Sequence, residues 1–348
     1  MGLRLGVVGA TGMVGRTMLQ VLEERGLRID ELRPMASARS AGTEVSFNGE
    51  RITVLEAGAD AFRDLDVVLF SAGGRASREL APAAVAAGAV VVDNSSAWRL
   101  DPKVPLVVPE VNPESMRDHQ GIIANPNCCA IPLAVVLNPV SQLSPLRRVL
   151  VDTYQAASGA GWRLVDELRG QRRAMAAGND PEVAVYPHVL EGNAVPGGWI
   201  MDPDMADHSP PVYEDAEAAH AYNQEELKII AETRKILGLP HLAIACTTVR
   251  VPVETGHSEA VWIETESSLN PADIRAHLAK SPGIVVQDDP SSQTYPLARS
   301  AAGTDEVFVG RIRRDLSHER GTALWLAADN LRKGAATNAV QVAELLFG

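Results

Sequence analysis

The chain is short of cysteine, of paired metal-binding motifs, of long apolar runs and of positive charge. Its three cysteines have no paired spacing, so they form no disulfide framework and suit a reducing cytoplasm. C-x-x-C and H-E-x-x-H are both missing, which argues against a structural or protease-type zinc site, and no metal is expected. The longest weakly polar run, 81-APAAVAAGAVVV-92, is split by Pro82 and Gly88 and is too short to span a bilayer. Acidic residues outnumber basic ones by 44 to 32, for a formal net charge of −12. General binding to nucleic acid or to an anionic membrane is therefore not expected. An anionic small-molecule substrate must be met by individually placed Arg or Lys. The opening MGLRLGVVGATG enters a strand pattern at once and has no signal-peptide layout.

What remains is the composition of a globular protein, 46% hydrophobic and 22% charged over 348 residues. That length allows two domains, each with its own core. Up to about residue 130, short apolar runs alternate with helical stretches: LRLGVV (3–8), a helix from Met13 to about Glu24, LRPMA (32–36), DVVLFS (66–71), a helix through 76–87, AVVVDN (89–94) and GIIAN (121–125). Continuous apolar strands separated by helices predict a parallel sheet covered on both faces, an α/β doubly wound fold of Rossmann type. From Arg147 the strands lengthen and partly alternate, at 147–158, 244–253 and 259–267, which predicts an α+β second domain. Residues 176–220 read as loop. A last helix over 330–348, apolar at Ala339, Val342, Leu345 and Leu346, is expected to return to the first domain. The predicted organisation is 1–128 plus 330–348 for the nucleotide domain and 129–329 for the second.

The segment 6-GVVGATGMVGRTM-18 joins the first strand to the first helix, with Gly9, Gly12 and Gly15 spaced G-x-x-G-x-x-G. Such glycines let backbone approach a pyrophosphate at a helix N-terminus, where free N–H groups and the dipole favour anions. An NAD site usually has an acid at the end of the second strand. Here that strand runs into 37-SARSAG-42, where Ser37, Arg39 and Ser40 suit a 2′-phosphate, so the expected cofactor is NADP. In 121-GIIANPNCCAIPLAVVLNPV-140, two cysteines follow a rigid Asn-Pro-Asn. Taken alone, Cys128 is either a core thiol or a nucleophile at a helix start, where its thiolate would be stabilised.

GATGMVG, SARSAG, FSAGGRAS, DNSSAWR, NPNC, YQAASGAG, the E-x-x-K of NQEELK, VRVPVETGH and NLRKGAATNAV occur in that order. In this the chain resembles the aspartate-β-semialdehyde dehydrogenase family over nearly its whole length. The resemblance implies a Rossmann domain, a substrate and dimerisation domain, and a homodimer or dimer of dimers in the cytoplasm. It also implies NADPH-dependent reduction of L-aspartyl-4-phosphate to the semialdehyde with release of phosphate, in the biosynthesis of lysine (through diaminopimelate), threonine and methionine. It makes Cys128 the nucleophile, His257 its proton partner and Gln155 the orienting amide. Arg99 and Lys228 are assigned to the phosphate, Arg250 to the α-carboxylate and Glu225 to the ammonium, with Asn127 also in the substrate site. Thr11, Met13, Val14, Ser71, Ala72 and Gly73 join the cofactor loop, and Ser158, Gly159 and Asn338 are assigned to the nicotinamide. Glu225 and Lys228 are i,i+3 on a predicted helix and share a face. Arg250 lies in an apolar strand, where an unpaired charge is costly. Two features depart from the family: Cys129 stands where Ser or Thr is common, and Pro132 falls close to the helix start. The competing expectations are N-acetylglutamyl-phosphate reductase, whose substrate gives no reason for an acid at 225, and a non-enzymatic NADP-binding redox regulator.

Overall fold

In the computed structural model, which describes residues 2–197 and 221–348, the chain forms two compact units. One comprises residues 2–127 and 335–348; the other comprises 128–197 and 221–334.

The first unit is built on a parallel sheet of β1 (Leu3–Val8), β2 (Ile29–Ala36), β5 (Leu55–Glu56), β6 (Val67–Phe70), β7 (Val90–Asp93) and β8 (Ile122–Ala124). Its strand order is β5-β2-β1-β6-β7-β8, the doubly wound order 3-2-1-4-5-6. The hairpin β3 (Glu44–Phe47) and β4 (Glu50–Thr53) lies outside that sheet. All four residues of β6 are buried, as expected of a strand covered on both faces. One cover is α1 (Met13–Arg25), closed by Gly26 in the left-handed conformation; another is α2 (Gly74–Ala86). The last helix, Thr337–Phe347, puts Ala339, Val340, Val342 and Ala343 into the same core as Leu5, Val7 and Leu22. Leu345, expected in that contact, is 54% exposed. The expected helix over 330–348 is also shortened: Arg332–Ala336 form a π-turn before it.

The second unit carries a mixed sheet. Its strands are β9 (Leu146–Gln155), β10 (Ala243–Arg250), β11 (His257–Thr265), β12 (Ile284–Val286), β13 (Val307–Arg314) and β14 (Gly321–Ala328). They lie in the order β10-β9-β11-β14-β13-β12. α3 (Ala130–Leu143), α4 (Trp162–Ala176), α5 (Gln224–Leu237) and α6 (Pro271–Leu278) belong to this unit, and α3 packs on α5 and α6. Pro132 sits in the first turn of α3, where an N–H would have no helical partner in any case. The first helical bond there runs from Leu133 N to Cys129 O at 3.2 Å. Residues 198–220 of the expected loop region lie outside the described residues. None of the described helices is long and apolar enough to cross a membrane.

Candidate active site

In a doubly wound sheet the ligand crevice lies past the carboxyl ends of the strands, where the strand order reverses. Here that point is between β1 and β6, and both segments leaving it come together. Gly9, at φ +82°, packs so closely that a Cβ there would sit 2.3 Å from Ser71 O. A Cβ on Gly15 would be 2.1 Å from Gly9 O. Ser71, Ala72 and Gly73 then lead into α2, as Thr11 and Gly12 lead into Met13 and Val14 of α1. Neither helix start has a side-chain cap, and neither first turn contains an acid. These bare, glycine-lined helix starts fit the phosphates of a dinucleotide. Ser37 O accepts from Ser40 N at 2.8 Å in the turn after β2, and Arg39 is exposed there. β5 also brings Glu56 beside Ala36, an acid the linear order did not place near this turn.

Arg99 follows a buried network in the same unit. Asp93 accepts from Ser77 Oγ and from Ser95 N, and Trp98 Nε1 donates to Ser77 Oγ at 2.9 Å. This fixes the DNSSAWR turn, and Arg99 Nη2 donates to Asn94 O at 2.9 Å. Asn125, from the Asn-Pro-Asn, is tied to Asn94 Oδ1 at 2.6 Å and to Ala335 O at 3.1 Å. Asn127 is 5% exposed. Asn338 is fully buried, and its amide holds Val107 O at 2.9 Å and Asn125 Oδ1 at 2.7 Å. These partners fix the Asn338 amide within the first unit.

The second unit places the remaining polar residues around one sheet face. Opposed residues share a face, so the β9–β10 register sets Gln155 beside Arg250, and His257 begins β11. Cys128 is partly exposed, just before Cys129 caps α3. The sulfurs of Cys128 and Cys129 and a ring nitrogen of His257 all lie within 4.8 Å of one another. His257 Nδ1 accepts from Ala156 N at 3.0 Å, so the neutral ring carries its proton on Nε2. That tautomer makes Nε2 a donor and a poor metal ligand, although two thiols and an imidazole would otherwise suit a soft cation. The Cys128 thiol is held well below the ordinary range, first by the Cys129 S–H and then by His257, against the opposing pull of burial. Cys129 is pushed well above it, chiefly by burial.

Gln155 is oriented at both ends: Thr153 Oγ1 donates to its Oε1 at 2.9 Å, and its Nε2 donates to Glu225 Oε1 at 3.3 Å. Glu225 lies 3.8 Å from Lys228 on α5. The helix start is secured by a capping box between Asn223 and Glu226, and Thr248 N donates to Glu226 Oε1 at 2.9 Å. Arg250 is 2% exposed, and its Nη1 donates to Ala156 O at 2.6 Å. Burial lowers its pKa, opposed mainly by Glu225. A Cβ on Gly159 would meet Arg250 Nη1 at 3.1 Å and His257 Nε2 at 3.2 Å. Gly159 therefore borders both Arg250 and His257. Ser158 Oγ is held by Asn330 Oδ1 at 3.1 Å, which also accepts from Gly256 N at 2.9 Å. Sequence reasoning missed Asn330, the fully buried Tyr186 that interacts with Arg250, and Gly334, whose bare Cα lies against Cys128.

The doubly wound sheet of the first unit has the strand order of nicotinamide-dependent dehydrogenases, and the second unit holds a cysteine and a histidine within 4.8 Å of each other. Residues 4–119 match the family profile described as "Semialdehyde dehydrogenase, NAD binding domain", and residues 137–333 match "Semialdehyde dehydrogenase, dimerisation domain". The aspartate-semialdehyde dehydrogenase of Aquifex aeolicus is 47% identical, covering 99% of this chain and 98% of the relative. That of Bacillus subtilis is 45% identical, covering 99% and 97%. The crystal structure of aspartate semialdehyde dehydrogenase II from Vibrio cholerae superposes with a TM-score of 0.90 at 40% identity, over 99% of this chain and 98% of that one. The same enzyme has been solved complexed with ASA, with the same agreement. The chain belongs to the aspartate-semialdehyde dehydrogenase family, NADP-dependent oxidoreductases of amino-acid biosynthesis. These relatives favour that reading over N-acetylglutamyl-phosphate reductase.

Proposed function

We propose that Cys128 takes the acyl group of L-aspartyl-4-phosphate as a thioester, releases phosphate, and lets the thioester be reduced to L-aspartate-4-semialdehyde. The observation that supports this most is the cluster of Cys128, Cys129 and His257, with its lowered Cys128 thiol. The thiolate is the reactive form. His257, protonated on Nε2, donates to the sulfur and then to the oxyanion that develops as the acyl carbon is reduced. Gln155, held by Thr153 and Glu225, keeps the acyl carbonyl in line. Arg250 grips the α-carboxylate through its guanidinium, and Glu225 meets the ammonium. Arg99 and Lys228 neutralise the phosphate.

NADPH, when bound, supplies the hydride. The glycine loop with Thr11, Met13 and Val14, together with Ser71, Ala72 and Gly73, would hold its pyrophosphate, and Ser37, Arg39 and Ser40 its 2′-phosphate. The match over 137–333 to a dimerisation domain supports assembly as a homodimer or a dimer of dimers. Three free thiols and a biosynthetic family support a cytoplasmic setting. The test is the reverse reaction. NADP should be turned over repeatedly by L-aspartate-4-semialdehyde only when phosphate is present; sustained turnover without phosphate, or none with it, would sink the reading.

A further inference from the structure

The sheet face that presents His257 and Gln155 has a second polar row behind it. Side chains two apart on a strand share a face, so Glu259 lies behind His257. The register sets it opposite Thr153 of β9, which is itself opposite Thr248 of β10. All three are fully buried. Thr248 anchors the start of α5, and Thr153 orients Gln155. Glu259 has no such partner: neither carboxyl oxygen makes a hydrogen bond among the described residues. Burial pushes its carboxyl well above the usual range, and the Cys128 sulfur pushes in the same direction. Ionised, it would be an uncompensated buried charge that repels the Cys128 thiolate. Leucine would fill the space without that penalty, and glutamine would do so without a proton to give up.

We propose that Glu259 is a further positioning residue for the reaction set out above: a buried, unpartnered carboxylic acid one row behind His257, it keeps its own proton, so that the negative charge of this compartment stays on the nucleophile. The inference rests on the reading of Cys128 as the acylated residue. In the free enzyme the sulfur carries the charge and Glu259 is the neutral acid. Acylation makes the sulfur neutral and removes a repulsive neighbour, so the field at the Glu259 carboxyl changes while its proton stays in place.

The titratable groups around this compartment are Cys129 beside the start of α3, Cys246 on β10, His257 on β11, and Glu225 and Glu226 on α5. Among them His257 can bear positive charge, and Arg250 on β10, which interacts with Glu225 and with the Cys128 and Cys129 sulfurs, adds a further cation. Because the carboxyl is raised, the acid form persists to high pH and is lost as pH rises through its titration. The second negative charge then opposes attack on an anionic acyl phosphate and the oxyanion that follows. The wild-type kcat/KM therefore falls on the alkaline side for a reason that E259Q, which cannot ionise, does not share.

Two measurements test this. Infrared difference spectra of the wild type, before and after alkylation of Cys128 with iodoacetamide, should show a protonated-carboxyl C=O band that shifts on alkylation. That band should be missing from E259Q. The kcat/KM of E259Q should match wild type at neutral pH within about threefold, while its alkaline fall moves up by about one pH unit or more, a tenfold difference on that limb. A carboxyl band indifferent to alkylation, no such band, or an unchanged alkaline fall in E259Q would overturn the proposal. If E259Q does not fold, the wild-type spectra decide, with Cys128→Ala as the control that cannot be alkylated at that position. Loss of the dehydrogenase reading itself would show separately, as a wild type without phosphate-dependent turnover.

Discussion

Replacing Arg250 by lysine keeps the positive charge and removes the planar fork, so it separates recognition by geometry from recognition by charge. On the proposed reading the guanidinium has two tasks. Nη1 donates to Ala156 O at 2.6 Å, at the end of the strand that carries Gln155, and the same guanidinium is assigned the substrate carboxylate. An ammonium offers its donors from a single point and cannot meet both at once. Charge-assisted hydrogen bonds contribute about 1.5–3 kcal/mol each, so losing one limb of the grip costs roughly ten- to a hundredfold in affinity. The assay is steady-state reduction of NADP with semialdehyde and phosphate varied in turn. The KM for aspartate semialdehyde should rise by about that factor while the KM for phosphate stays within about threefold, and a thermal melt should show the variant folded. Arg99→Lys should do the opposite, weakening phosphate and its mimic arsenate alike. If Arg250→Lys altered only the phosphate KM, or Arg99→Lys only the semialdehyde KM, the two anion sites would have been assigned in reverse.

Other outcomes follow from the same geometry. Arg39→Ala should cost about ten- to a hundredfold in NADPH affinity and leave NADH nearly unchanged; equal losses for both, by equilibrium titration, would show that Arg39 only holds its loop. The lowered Cys128 thiol keeps its thiolate to lower pH than an ordinary cysteine, so iodoacetamide should alkylate it well into the acid range. Cys129→Ala, which removes the largest lowering influence, should stay active but move that alkylation profile to higher pH, and Cys129→Ser should move it less. An unshifted profile would mean that His257 alone sets the thiol. Gly159→Ala puts a methyl 3.1 Å from Arg250 Nη1 and 3.2 Å from His257 Nε2. It should lower kcat/KM for semialdehyde by about tenfold or more with NADPH binding intact; a matching loss in NADPH affinity would return Gly159 to the cofactor.

The parallel sheet was legible because its strands are uninterrupted apolar runs, and the reversal of strand order then places Gly9 against Ser71. The second sheet was read in half. In β14, GTALWLAA is apolar without alternation, which does not separate a strand from a buried helix. β13 is broken after Gly310 by a register shift around Arg311, a residue at φ +54°. The start of the last helix was placed too early because RKGAA is compatible with either helical form, and its π-turn depends on the surrounding packing. Within the site, Cys128, Gln155, Glu225, Arg250 and His257 stood in recognisable motifs. Glu259 did not, although it is in phase with Val261 and Ile263 on the buried face of its strand, a signal that was available. Tyr186 came from a stretch without periodicity, so only the fold brings it to Arg250.

The claim that Cys128 is the acylated residue is tested most directly by withholding the second substrate. Wild-type protein is mixed with NADP and L-aspartate-4-semialdehyde in the absence of phosphate and arsenate, quenched in acid, and mapped by peptide mass. The account predicts a burst of NADPH, about one per active site, and an aspartyl adduct on the peptide containing Cys128 that disappears when phosphate is added before the quench. An adduct on Cys129 or Cys246, or a burst that survives in Cys128→Ala, would contradict it.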